Sequence, residues 1–186
     1  MARIIKKFFN KEELSILKKY CHNKLDLNKD HQLDGQSFSP AWYEDPLMTS
    51  FLDIKLPLVE KKSNLNLIPT YAYWRYYIFG ANLKQHLDRP SCEISITACI
   101  KKYDNWPIVV EGKEFELNEG DAILYNGVFE KHWRPGVYKG NGMAQVFFHY
   151  VDKNGHFPHH GYDNYFKITK NTKSEGDLQW IKKQLI

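Results

Sequence analysis

His86-Leu87-Asp88 and His132 are the side chains of this sequence best suited to hold a transition metal. Side chains of an extended segment alternate between two faces, so His86 and Asp88 point the same way. A second histidine from a facing strand, at His132, would complete two imidazoles and one carboxylate. That set covers one face of an octahedron and leaves the remaining positions open, which suits Fe(II) taking up a small co-substrate and O2. A His-x-Asp tripeptide also arises by chance among ordinary surface or core histidines. The neighbouring residues have to decide between the two readings.

The elements that would position these residues can be read in outline. Asn10 followed by Glu13 gives a helix start, with Leu14, Leu17 and Cys21 recurring at helical spacing. A polar stretch over 22–40 reads as a loop, and 45–62 as a second helix ending near Asn64-Leu65-Asn66. Within the loop, Asp26 to Asp30 imitates the start of an EF-hand, but His31 stands where that loop needs Gly and Ser37 where it needs Glu. From Pro69 the pattern turns to strands. Tyr71–Phe79 is dense in aromatics, and Glu93–Lys101 alternates, with Ile94, Ile96, Ala98 and Ile100 on one face. Ile108–Val110 and Glu114–Leu117 flank Glu111-Gly112-Lys113 as a hairpin. Asn118 to Asp121 is a turn into Ala122–Tyr125, and Met143–Val151 is a last long strand. Seven or eight short strands after two helices predict a mainly β fold with flanking helices, an antiparallel jelly roll (a double-stranded β-helix, cupin-like).

Composition bounds the rest. At 186 residues, with 42% hydrophobic and 15% aromatic, the chain is expected to be one domain with a core and a pocket. We divide it into helical support over 1–66, a jelly-roll core over 69–152, and a loop with a short amphipathic helix over 153–186. No apolar run approaches the roughly 20 residues of a membrane span. Met-Ala-Arg-Ile-Ile-Lys-Lys lacks the apolar core of a secretion signal. Cys21, Cys92 and Cys99 form no CxxC spacing, which fits a reducing compartment, so a cytoplasmic location is expected. The net charge of +4 comes from dispersed lysines, so neither a nucleic-acid nor a membrane partner is expected. Of 26 basic residues only Arg3, Arg75, Arg89 and Arg134 are arginine, which points to use of the bidentate fork rather than of charge alone.

The order of these residues resembles the Fe(II)/2-oxoglutarate-dependent oxygenases, in particular their prolyl 4-hydroxylase-like branch. Tyr77-Ile78-Phe79-Gly80 leads into His86-Leu87-Asp88; a Thr-bearing strand, Ser95 to Ile100, follows; then come Leu117 to Tyr125 and His132. The resemblance covers about 69–152 and is nearest to a group with His-x-Asp-Arg and His-Trp-Arg, here His86–Arg89 and His132-Trp133-Arg134. It implies a jelly roll that holds Fe(II) on His86, Asp88 and His132 and takes 2-oxoglutarate and O2 as co-substrates. The implied reaction hydroxylates an unactivated C–H bond and releases succinate and CO2. No separate acid or base is needed. The implied partners are 2-oxoglutarate and a peptide, protein or small-molecule substrate, with peptidyl-proline the family-level expectation. The resemblance leaves the substrate and the oligomeric state open.

One departure is sharp. The family places an Arg or Lys for the distal carboxylate of 2-oxoglutarate at the position that Met143 occupies, and a thioether forms no salt bridge. Arg134, two residues past His132, would share its inward side on a strand and grip a carboxylate with two hydrogen bonds. Lys101 is the other candidate, thirteen residues after Asp88, and Lys139 a weaker one. Tyr77 resembles the family's strand tyrosine that donates to the co-substrate, and is also readable as a packed aromatic. Arg75 and Arg89 could contact substrate. Gln145 and His149 share a face with Met143, and His156, His159 and His160 read as surface residues. Two other functions remain: a cupin-like metal-binding or sensory domain without turnover, and a jelly-roll isomerase or lyase, for which the expected His-rich ligand set is not found.

Overall fold

The computed structural model describes residues 2–26, 32–33 and 35–162. The tail helix expected within 174–185, and residues 27–31 of the EF-hand-like stretch, lie outside the described residues. Ten strands and two long helices are described, in the order β1 (Arg3–Ile5), α1 (Lys11–Asp26), β2 (Gln32–Leu33), β3 (Pro40–Tyr43), α2 (Pro46–Ser63), β4 (Leu67–Tyr77), β5 (Ile94–Lys102), β6 (Ile108–Val110), β7 (Lys113–Phe115), β8 (Ala122–Tyr125), β9 (His132–Trp133) and β10 (Met143–Asp152). The larger sheet runs β1-β8-β5-β10-β4-β3-β2 and the smaller β7-β6-β9, with every pairing antiparallel. Two antiparallel sheets enclosing a cavity make the fold a jelly roll.

Both helices start on side-chain caps. Asn10 Oδ1 accepts from the Glu13 N–H at 2.9 Å while Glu13 Oε2 accepts from the Asn10 N–H at 2.8 Å, a reciprocal box. Asp45 Oδ1 accepts from the Leu47 and Met48 N–H groups, and Pro46 opens α2. Asn64 ends α2 in the left-handed conformation, its N–H donating to Glu60 O at 2.8 Å.

The long strands have two faces, and the alternation decides what each side chain meets. Ile94, Ile96, Ala98 and Ile100 of β5 pack on the helix side with Val146, Phe148 and Tyr150 of β10 and Trp74 of β4. Phe8, Phe9, Leu17, Met48 and Phe51 close that core from the N-terminal segment. Thr97, Phe147, His149, Tyr71, Tyr73, Arg75 and Tyr77 take the opposite face and look into the space between the sheets. The β6–β7 hairpin turns through Glu111 (φ 47°) and Gly112 (φ 76°), the paired positive φ values of a type I′ turn.

The segment read as helical support also supplies three strands. β1 pairs with β8, and β3 pairs with β4, where Trp42 stacks on Trp74 at 3.9 Å and 7°. Strands of two to four residues carry too little periodicity to be read on their own, and β1 to β3 lack the adjoining turns that mark β6, β7 and β8. Helix α1 runs on to Asp26, into the stretch read as loop. Strand β4 begins at Leu67, before Pro69; a register shift opposite His149 and Tyr150 accommodates that proline, which has no N–H to donate.

Candidate metal and co-substrate site

His86 and Asp88 sit on the extended segment that follows β4, and His132 opens β9. Two backbone hydrogen bonds clamp the segments together: His86 N–H to His132 O at 3.1 Å and His132 N–H to His86 O at 3.0 Å. The imidazole centroids are therefore 4.3 Å apart. Asp88 is held by its N–H donating to Gly127 O at 2.8 Å. Its Oδ1 lies 3.6 Å from His86 Nε2 and its Oδ2 lies 3.4 Å from His132 Nε2. The one carboxylate thus faces both rings.

Each ring is oriented from behind. His86 Nδ1 lies 2.8 Å from Lys84 O and His132 Nδ1 lies 2.9 Å from Glu130 O. A carbonyl only accepts, so Nδ1–H donates and the Nε2 lone pair is turned to the shared site. Burial alone would raise the Asp88 pKa, but the facing His132 and His86 rings outweigh it and hold the carboxyl well below its usual range. An ionised carboxylate and two Nε2 lone pairs, converging within 4.8 Å, fit a divalent metal with three further positions open.

A residue that sequence reasoning passed over makes room for this carboxylate. A Cβ on Gly127 would lie 2.5 Å from Asp88 Oδ2, 2.4 Å from Cys92 O and 2.8 Å from Ser95 Oγ. Only glycine fits there, and no signal beyond a lone Asn-Gly pair marks it in the sequence.

The three side chains open on a cavity of about 380 Å³, a volume typical of small-molecule sites. Arg134 and Tyr77 line it, and Lys101 does not. The Lys101 ammonium pairs with Glu119 at 3.2 Å and covers the Tyr103 ring. A bulge explains this: β10 pairs Gln145 with Cys99 and Ala144 with Lys101, so Ile100 is skipped. The extra residue breaks the alternation, turning Lys101 outward. Lys139 and the three histidines at 156, 159 and 160 are likewise not among the lining residues.

Arg134 is 4% exposed, and its Nη1 donates to Trp106 O. Tyr77 and Trp106 rings flank its guanidinium, each with its centroid 5.3 Å from Cζ. Among the described residues its Nη2 meets no acceptor. A buried guanidinium on the wall of the cavity that His86, Asp88 and His132 share is suited to a carboxylate. Met143 is 2% exposed and lies deeper, beside Gln145. Tyr77 Oη accepts from Arg75 Nη1 at 3.0 Å, which leaves the phenol hydrogen to be donated. Arg75 is held in an aromatic cage of Tyr73, Tyr77 and Phe147. At the other wall Arg89 Nη2 donates to Tyr43 Oη at 2.6 Å, and its Cζ lies 4.6 Å from the Tyr71 ring centroid. Both arginines line the cavity, as does His149, whose pKa burial lowers to about 4.

No protein-family model matches the chain, and comparison with curated protein sequences gives no match. Its fold is that of solved 2-oxoglutarate–Fe(II) oxygenase structures. A prolyl 4-hydroxylase from Pseudomonas putida superposes with a TM-score of 0.66 at 13% identity, covering 81% of this chain and 92% of that one. EctD from S. alaskensis with bound Fe gives 0.66 at 14% identity, covering 84% and 74%. The α-ketoglutarate-dependent carbocyclase SnoK of nogalamycin biosynthesis gives 0.68 at 8% identity, covering 92% and 86%. Among the described residues no helix is long and apolar enough to cross a membrane.

Proposed function

We propose that the chain is an Fe(II)- and 2-oxoglutarate-dependent dioxygenase that hydroxylates an unactivated C–H bond and releases succinate and CO2. The observation that carries this reading is one cavity that joins two inward Nε2 atoms and an ionised carboxylate to a buried arginine. His86, Asp88 and His132 would hold the metal, and the bound metal with O2 supplies the oxidising chemistry. Arg134 would take the distal carboxylate of 2-oxoglutarate, in place of the cation that Met143 does not provide. Tyr77, held from behind by Arg75, would donate its hydroxyl hydrogen to the same molecule. Aromatic walls from Tyr71, Tyr73 and Phe147 would keep water from the reacting centre.

The neighbours in fold act on different molecules: one is named a collagen prolyl hydroxylase, and another is solved with 5-hydroxyectoine. Peptidyl-proline is therefore the first substrate class to assay, alongside free amino acids and small metabolites. Met143 is the feature that favours a metal-binding or sensory barrel without turnover. Against it stands Arg134, a buried cation with no carboxylate partner among the described residues. The test is iron-dependent conversion of 2-oxoglutarate to succinate by the whole chain in the presence of O2. Succinate formation that His86→Ala abolishes supports the enzyme; a folded, iron-loaded parent that forms none leaves the sensory barrel.

A further inference from the structure

Arg134 also borders a second and much smaller cavity of about 10 Å³, walled by Arg134, Gln145, Met143, Trp106, Phe115 and Leu117 and by none of His86, Asp88 and His132. At its outer end Lys102 Nζ and Glu116 Oε1 pair at 3.4 Å. Two of its walls carry buried polar atoms without a hydrogen-bond partner, and they are complementary: Arg134 Nη2 is a donor and Gln145 Oε1 an acceptor. Gln145 is 1% exposed. The bulge that skips Ile100 sets Gln145 opposite Cys99.

Leaving a donor and an acceptor buried and unmatched is costly, so paired orphans on one cavity call for a bridge. About 10 Å³ is the room that a single water needs, and two or more polar partners are what such a water requires. We propose that Gln145 is a positioning residue for the co-substrate anchor: one buried water accepts a hydrogen from Arg134 Nη2 and donates one to Gln145 Oε1, which fixes the guanidinium plane. This rests on the assignment of Arg134 to the 2-oxoglutarate carboxylate. Trp106 O holds the fork at Nη1 and the Gln145-bound water holds it at Nη2. The remaining N–H groups then keep one bidentate edge toward the metal cavity. Gln145 touches neither co-substrate nor metal; it acts through Arg134.

The test has two readouts. A high-resolution crystal structure of the metal-free parent is expected to show an ordered water within hydrogen-bond reach of Arg134 Nη2 and Gln145 Oε1; a dry cavity overturns the proposal. In solution, binding of 2-oxoglutarate and of 2-oxobutyrate, which chelates alike but lacks the distal carboxylate, is measured on anaerobic Fe(II)-loaded parent, Gln145→Met and Gln145→Glu. Gln145→Met keeps the volume and removes the acceptor, so 2-oxoglutarate is expected to bind about fivefold more weakly with 2-oxobutyrate unchanged. Gln145→Glu sets a carboxylate against Arg134 in competition with the ligand's, and the selective loss is expected to exceed about tenfold. Equal weakening of both ligands, or of neither, overturns the role assigned to Gln145. A parent that holds Fe(II) but binds neither ligand overturns the co-substrate reading itself, and the anchoring role with it, even where the water is seen.

Discussion

His86 and His132 are 46 positions apart in the chain, yet each donates its backbone N–H to the other's carbonyl oxygen, at 3.1 and 3.0 Å. The two imidazoles are consequently placed by the backbone and only oriented by their Nδ1 contacts. Metal binding should then be limited by the carboxylate between them, whose position depends on the glycine packed against it.

Gly127→Ala tests that dependence. The new methyl would meet Asp88 Oδ2 at 2.5 Å and Cys92 O at 2.4 Å, and backbone cannot retreat as a flexible side chain would. Fe(II) affinity is expected to fall about 10–100-fold, the range for disturbed metal-supporting contacts. Overpacking should cost roughly 1–3 kcal/mol of stability. Anaerobic metal titration and thermal unfolding check the two parts; a variant that binds Fe(II) as the parent does would show that Asp88 has room to move.

Arg134 and Lys101 separate cleanly by substitution. Arg134→Leu is expected to weaken 2-oxoglutarate binding by about 10–100-fold, as loss of a buried charge-assisted pair does. Lys101→Ala, which removes a partly exposed partner of Glu119, should leave that affinity within about twofold. Calorimetric titration on the metal-loaded variants decides; the opposite ranking would return the anchor to Lys101.

Tyr77→Phe should produce a smaller, separable effect. The ring and its T-shaped contact with Trp106 at 5.2 Å are retained, and the hydroxyl alone is lost. One hydrogen bond to the co-substrate corresponds to a roughly 3–10-fold rise in its dissociation constant. An unchanged constant would assign Tyr77 to packing.

Acid sensitivity should follow from Asp121, remote from the metal. Burial would raise its pKa, but Lys6 Nζ at 2.8 Å, with the Lys7 and Asn118 N–H groups, outweighs burial and lowers it. A folded-state pKa below the unfolded value of about 3.9 means that the unfolded chain binds protons first as pH falls. The stabilisation is thus complete above that value and is lost as pH drops through the lower, folded one. Asp121→Asn should cost roughly 1–2 kcal/mol at neutral pH, modest because Lys6 is solvated. The gap from the parent should close in unfolding curves taken below about pH 4; a gap independent of pH would mean that the carboxylate charge contributes nothing.

What the sequence reveals follows from how structure is encoded locally. His86 with Asp88, and His132 with Arg134, are legible because a two-residue spacing on extended chain places both side chains on one side. The same rule misleads at Lys101, because the bulge at Ile100 inverts the alternation and no residue type announces it. The long strands β5 and β10 are visible as apolar runs, and the four-residue β8 through the turn over Asn118–Asp121 that precedes it. β1 and β3 are not, since three or four residues carry no period and their evidence lies in distant partners such as Leu124 and Trp74. Gly127 and the orphaned Gln145 oxygen are invisible for a related reason: both matter through contacts made only on folding.

The most direct measurement of the central claim is optical. Fe(II) is added to the metal-free chain without oxygen, 2-oxoglutarate is then titrated in, and the visible spectrum is followed for the weak charge-transfer band of the chelate, on the parent and on His86→Ala. The account expects a saturable band in the parent that is absent from His86→Ala. A folded, Fe(II)-binding parent that develops no band at saturating 2-oxoglutarate would contradict it.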